Sequence, residues 1–255
     1  MTQVVVIGGG GTGIGLASAR YFAERRAQVV IIGRRSAVLD EAVATVGREF
    51  PDAPKLLAFT GDLAAPDQVE LIRADLNAQF AAVDVLVNAA GGHVLRQKPA
   101  AYADGLAGVA RRWIDNFRTN TLSAVLLTEA LAPRLRSPGG RIVFISSIAA
   151  YRGSGVGCYG GVKAALHPYC FDLAKTLGPR GITVNTIAPG YVVDTEFFGV
   201  AMSEDLHKAR IAETLNQRAG APTDIASTIG WLVSPEADHV TAQIIQVNGG
   251  AERGR

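Results

Sequence analysis

Seven short apolar runs recur along the chain, and between them the spacing of apolar residues changes. The first, Val4-Val5-Val6-Ile7, is unbroken and β-branched, the pattern of a strand buried on both faces rather than the alternation of a half-exposed one. Behind it Ile14, Ala17, Tyr21 and Phe22 repeat at helical spacing, with Arg25-Arg26 near the end, where cations suit the helix dipole. Val29-Val30-Ile31-Ile32 gives a second strand, and the alternation continues through Lys55–Phe59, Val83–Val87, Arg141–Ile145, Ile182–Ile187 and Gln243–Val247. Strands separated by stretches of crossover length predict an α/β fold of three layers: a doubly wound, parallel, seven-stranded sheet with helices on both faces. With 48% apolar residues in 255, one domain over residues 1–255 can bury a full core.

In such a sheet, ligands bind outside the carboxyl ends of the strands. Those ends carry Gly8 to Gly15, Gly33-Arg34-Arg35, Gly61-Asp62-Leu63, Asn88-Ala89-Ala90-Gly91, Ser146-Ser147 and Pro189-Gly190. Six ends rich in glycine and small polar residues predict one shared crevice. The first is a strand, a glycine turn and a helix, which aims unpaired N–H groups and a partial positive charge at whatever lies over the turn; a diphosphate fits. Two registers satisfy it: Gly8, Gly10 and Gly13, or the wider Gly9, Gly13 and Gly15.

Charge narrows the partners. A net charge of +2 with 19% charged residues leaves no extended basic surface for nucleic acid. No apolar run reaches membrane-span length, and the first residues lack a secretory signal pattern, so no membrane association is expected. Cys158 and Cys170, twelve apart in one segment, argue against a disulfide framework and for a reducing, cytoplasmic setting. His93, His167, His207 and His239 show no ligand spacing, and no catalytic metal is expected.

Candidate chemistry concentrates in "SSIAAYRGSGVGCYGGVKAAL". Tyr159 and Lys163 stand four apart, so a helix puts both on one face. A phenol with an ordinary pKa near 10 needs a neighbouring ammonium to work as an acid or base at neutral pH. Lys163 is placed to supply it.

Taken in order, these pieces resemble the short-chain dehydrogenase/reductase family, from Val4 to Gly250. The resemblance rests on Gly9, Gly13 and Gly15 around Thr12, Asp62-Leu63, Asn88 to Gly91, and Asn120 in "DNFRTNTLSAVLL". It continues through the serine of "IVFISSIAA", Tyr159 and Lys163, Pro189-Gly190 with Thr195 beyond, and the closing "TAQIIQVNGG". It favours the wider glycine register and implies a Rossmann fold binding a nicotinamide dinucleotide. It also implies a homo-oligomer, a tetramer or dimer, pairing helices over Val109 to Arg136 and Gly157 to Gly178. The implied substrate is a small carbonyl or alcohol, and the implied reaction is reduction of a ketone to a secondary alcohol. Tyr159 would be the general acid; Lys163 would lower the phenol pKa and hold the nicotinamide ribose. A serine would bond the substrate oxygen, and Asn120 would fix a relay water. Cofactor contacts would come from Gly9, Thr12, Gly13, Ile14, Gly15, Arg34, Arg35, Asp62, Leu63, Asn88, Ala89, Ala90, Gly91, Pro189, Gly190, Val192 and Thr195, besides Tyr159 and Lys163.

Several positions depart from the family pattern. Ala90 stands where the family commonly repeats asparagine, and the stretch from Gly91 to Trp113 is longer than usual. Motif register selects Ser147 as the catalytic serine, whereas distance from Tyr159 selects Ser146. An extra residue in "PGYVVDTEF" leaves Val192 or Val193 to supply an amide to the nicotinamide carboxamide. Asp62 reads as an adenine contact or as a turn or capping residue before Pro66. The second strand ends in Gly33-Arg34-Arg35-Ser36, with no acid before Asp40. A carboxylate there usually takes the ribose hydroxyls of NAD; glycine and arginines instead leave room and donors for a 2′-phosphate, so NADP(H) is preferred and NAD(H) remains possible. Two other readings stand beside ketone reduction: a nucleotide-binding regulatory protein on the same scaffold, or a reductase of activated C=C or C=N bonds.

Overall fold

The computed structural model describes residues 2–97, 105–155, 157–198 and 202–253. Strands β1 (Val4–Gly8), β2 (Gln28–Gly33), β3 (Leu57–Thr60), β4 (Val85–Asn88), β5 (Arg141–Ile145), β6 (Thr183–Pro189) and β7 (Ile244–Val247) form one parallel sheet in the order β3-β2-β1-β4-β5-β6-β7. The order reverses between β1 and β4, so the connections leave in opposite directions and a crevice opens at their carboxyl ends.

Register explains why the central strands read as unbroken apolar runs. Val5 and Ile7 lie beside Val29 and Ile31 on β2 and beside Val85 and Val87 on β4. These residues pack with Phe22, Leu39 and Ile229 from helices α1 (Gly13–Glu24), α2 (Ser36–Glu49) and α11 (Pro222–Leu232). The intervening Val6, Val30, Ile32 and Leu86 point the other way, to Leu76, Leu127 and Leu173 from α3 (Pro66–Gln79), α6 (Ser123–Leu131) and α9 (Leu166–Leu177). Both faces are covered, so both parities must be apolar.

Two helices expected to be continuous are interrupted. α5 (Gly105–Phe117) passes through a π-helical turn, Arg118–Leu122, before α6. That turn carries Asn120, and such turns gather at functional sites. Likewise Gly157 to Gly178 splits into α8 (Gly157–Ala164) and α9, because Pro168 has no N–H for the Ala164 carbonyl. The long stretch after Gly91 begins with a short helix, α4 (Val94–Gln97); its residues 98–104 lie outside the described residues. Beyond β5 comes the short α7 (Ala149–Arg152), and α10 (Glu204–Ala212) follows β6, started by Ser203 accepting the Leu206 N–H at 3.3 Å.

Candidate active site

A crevice of about 900 Å³ runs across the carboxyl ends of β1, β2, β4, β5 and β6. Its floor at the first strand is backbone. Gly9 has φ of 80°, and a Cβ there would lie 2.6 Å from the Ala90 main chain; at Gly15 it would lie 2.0 Å from the Gly9 carbonyl oxygen. Both contacts are with backbone that cannot swing aside. Thr12 is the N-cap of α1 in extended conformation, with no side-chain capping bond, and Leu16 N–H to Thr12 C=O at 3.1 Å is the first bond of the helix. The N–H groups of Gly13, Ile14 and Gly15 therefore lack intrahelical acceptors at a surface lined by these same residues. This is the cradle a dinucleotide diphosphate needs, and the residues fit that group.

Around the cradle, Gly33, Arg34, Arg35, Asp62, Leu63, Ala89, Ala90 and Gly91 line the same crevice. Arg34 is exposed. Arg35 donates to a carboxylate oxygen of Glu196 at 2.6 Å, an ion pair that crosses the mouth. Asp62 uses its side chain locally, accepting the Ala64 N–H at 2.9 Å, while Ala65 caps α3. Asn88 is buried and turned toward α6, donating to Thr128 Oγ1 at 2.9 Å; its side chain is outside the crevice lining.

At the other end, Tyr159, Lys163, Ser146 and Ser147 line the crevice together. Lys163 is buried, its ammonium donates to the Ile145 carbonyl at 2.7 Å, and burial lowers its pKa from 10.5 to about 8. Asn120 lies just behind: its Oδ1 accepts the Gly92 N–H at 3.0 Å, and its Nδ2 donates to the carbonyls of Gly92 at 2.8 Å and Asn116 at 3.1 Å. A Cβ on Gly91 would sit 2.8 Å from Asn120 Oδ1 and 3.1 Å from Lys163 Nζ, so the bare glycine lets the turn, the amide and the ammonium meet. The two serines differ. Ser146 is buried, its hydroxyl engaged with the Lys163 carbonyl at 3.0 Å and with His167 Nε2 at 2.8 Å, whereas Ser147 is partly exposed and accepts only the Ala149 N–H at 3.1 Å.

At the end of β6 and beyond it, Pro189, Gly190, Val192 and Thr195 complete the wall. Val193 gives its N–H to the Gly220 carbonyl at 2.9 Å, which removes it as an amide donor to the crevice. The chain then turns through Asp194, in the left-handed region at φ of 54°, and three consecutive residues reach across. Thr195 stands over Gly13, Glu196 pairs with Arg35, and Phe197 packs on the Tyr159 ring at 5.1 Å between centroids. On the other side His93, buried, stacks on Tyr159 at 5.3 Å and 25°. Metal-ligand spacing among the histidines does not single out His93. The signal that does is its position, two residues past Gly91 and beyond a strand end that faces the crevice.

Comparison with known proteins identifies the family. The family described as enoyl-(acyl carrier protein) reductase matches residues 9–252. The chain is 30% identical to the 3-oxoacyl-(acyl-carrier-protein) reductase FabG of Vibrio cholerae, over 97% of this chain and 96% of the relative. It is 33% identical to an NADPH-dependent aldehyde reductase-like chloroplastic protein of Arabidopsis thaliana, over 97% and 93%. The L-sorbose reductase of Gluconobacter frateurii, solved with NADPH and L-sorbose, superposes with a TM-score of 0.85 at 26% identity, covering 98% of this chain and 96% of that one. The chain belongs to the short-chain dehydrogenase/reductase family and is an NAD(P)(H)-dependent oxidoreductase working between a ketone and a secondary alcohol.

Proposed function

We propose that the chain is an NADP(H)-preferring ketoreductase of the cytoplasm in which Tyr159 transfers the proton. The observation that carries the chemistry is the buried Lys163 ammonium sharing one wall of the crevice with Tyr159, one helical turn away. Bound in the crevice, the reduced nicotinamide supplies a hydride to the substrate carbonyl carbon. Tyr159 donates its phenolic proton to the carbonyl oxygen as negative charge develops there, and the Ser147 hydroxyl donates a hydrogen bond to the same oxygen. Lys163, cationic below about pH 8, stabilises the phenolate left behind and reaches the ribose hydroxyls. Asn120 has spent both amide hydrogens and one Oδ1 lone pair on backbone; the remaining lone pair holds a water between itself and the ammonium. At the nucleotide end, the Thr12 to Gly15 amides take the diphosphate, Asp62 and Leu63 border the adenine, and Ala89 to Gly91 border its ribose. Val192 and Thr195 serve the carboxamide.

Cofactor preference rests on Arg34. A carboxylate at the end of β2 would accept the ribose hydroxyls; Gly33 followed by an exposed guanidinium presents space and a donor fork to a 2′-phosphate instead. Arg35, tied to Glu196, contributes less. Expected is a kcat/KM at least about tenfold higher with NADPH than with NADH, as one charge-assisted contact supplies. Arg34→Ala should lower the NADPH value selectively. Equal use of both cofactors, or equal losses in the variant, overturns the preference.

A homo-oligomer fits the surface of α5. Val109, Trp113, Ile114 and Phe117 are between 37% and 58% exposed, and the last three form an apolar groove with Gly161, Val162 and Ala165 of α8 and the following turn. An apolar face of this kind on a long helix suits self-association through a twofold axis. Light scattering at micromolar concentration should give a dimer or tetramer mass, and a monomer mass overturns this. Cys158 and Cys170, both free and buried, support the reducing setting.

A further inference from the structure

The last residue of β5 and the residue after it grip Lys163 at its two ends. The Ile145 carbonyl accepts the ammonium at 2.7 Å, and the Ser146 hydroxyl lies 3.0 Å from the lysine's own carbonyl. That carbonyl sits in the last turn of α8, where intrahelical donors run out, and Pro168 weakens the junction with α9 by supplying no N–H. The lysine backbone therefore needs an outside anchor. Ser146 has one proton. Donated to the Lys163 carbonyl, it leaves the oxygen to accept from His167 Nε2 at 2.8 Å, which fixes the imidazole with its hydrogen on Nε2. Burial holds the His167 pKa below its ordinary value, so the neutral ring supplies that hydrogen at neutral pH, and the Tyr151 ring packs against it at 5.2 Å between centroids.

We propose that Ser146 and His167 are positioning residues for Lys163: a relay from imidazole N–H to serine hydroxyl to lysine carbonyl that sets where the ammonium stands relative to Tyr159 and the cofactor ribose. The proposal rests on the reading of Lys163 as a cofactor ligand. It also separates the two serines by function. Ser147, partly exposed with a free hydroxyl proton, is the one available to the substrate, and Ser146 is committed to the lysine.

The test measures cofactor affinity by fluorescence titration and turnover on one ketone, side by side. An outer hydrogen-bond partner behind a metal ligand is worth about 10- to 100-fold, and a partner behind an ammonium should be worth the lower end of that range. Ser146→Ala should therefore weaken NADPH binding and lower kcat together, each by about tenfold, whereas Ser147→Ala should lower kcat with binding unchanged. Ser146→Thr, which keeps the hydroxyl, should restore both. His167→Gln, which keeps an N–H donor, should stay close to the parent, and His167→Phe should behave like Ser146→Ala. A Ser146→Ala enzyme that loses only kcat would make Ser146 the substrate's serine and overturn the proposal; so would one with both quantities at parent values. If Ser146→Ala does not fold, His167→Phe decides: parent-like binding and turnover there overturn the relay. Lys163→Met is the control for the underlying reading. Unchanged NADPH binding in that variant would sink the role of Lys163 itself, while a loss there beside an unaffected Ser146→Ala would sink the relay alone.

Discussion

The end of the crevice proposed for the nucleotide is drawn by backbone, and the end proposed for catalysis by side chains that arrive from distant segments. At the first, Gly9 and Gly15 are bare because main-chain atoms of Ala90 and Gly9 occupy the space a Cβ would fill, and the ligand is offered N–H groups. At the second, Tyr159 is held between His93 and Phe197, and Lys163 between β5 and the Gly91 turn. A backbone site constrains residue type at fixed local spacing. A side-chain site constrains partners separated by 66 residues in the case of His93 and Tyr159. The first kind can be read along a chain; the second has to be read across it.

The sharpest way to break this contrast is Tyr159→Phe. The substitution removes a transferable proton and little volume, so the ring keeps its contacts with His93 and Phe197 while the chemistry loses its proposed acid. Turnover on a ketone should fall by roughly 10³-fold, in the range a general acid contributes, with NADPH affinity within about twofold of the parent. Steady-state kinetics and a binding titration check both halves. A parallel loss of affinity would mean that the two ends are not separable.

How far the site was legible follows from the same distinction. The seven strands, their parallel direction and the crevice at their carboxyl ends are legible because burial on both sheet faces leaves unbroken β-branched runs, and because crossover helices impose their own spacing. Tyr159 and Lys163 were visible as a helical pair. The choice between Ser146 and Ser147 was not, since it depends on which way each hydroxyl turns, and His167, the residue that engages Ser146, lies one helix further on. The clasp of Glu196 on Arg35 joins residues 161 apart, and nothing local announces it. Pro168 is in plain view, yet its effect on a helix expected to be continuous shows only in the break between α8 and α9, where the Ala164 carbonyl has no N–H four residues on.

Lys163 allows a second test, because a catalytic end built from buried charge should show its cost in stability. Its pKa falls from 10.5 to about 8 through burial, so between those values the unfolded chain holds more protons than the folded one. Stability should then rise with pH across that window, and the cost of burying the charge is fully present below pH 8. At about 1.4 kcal/mol per pH unit the cost is on the order of 3 kcal/mol at neutral pH. Lys163→Met removes it, along with activity. Urea denaturation from pH 7 to 10 should show parent stability gaining on the variant by ~1–3 kcal/mol. A constant difference would mean that the ammonium is not desolvated.

The smallest expected effect probes a segment through which the two ends touch. Thr195, Glu196 and Phe197 run from the glycine turn, past Arg35, to the Tyr159 ring, so a single short segment spans both kinds of site. Arg35 and Glu196 are each about half exposed, at 56% and 53%, and an exposed pair of this kind is worth about 0–1 kcal/mol. Glu196 acts on a 2′-phosphate in two ways with the same sign: it occupies one guanidinium that could take the phosphate, and it adds a negative charge beside it. Glu196→Gln should therefore tighten binding of 2′-AMP, used as a probe of the phosphate subsite, by roughly two- to fivefold, while AMP changes little. The gain should shrink in an Arg35→Ala background, because half of its cause is then gone. If 2′-AMP and AMP respond equally to Glu196→Gln, the clasp has no bearing on the phosphate, and the nucleotide end is read by Arg34 and backbone alone.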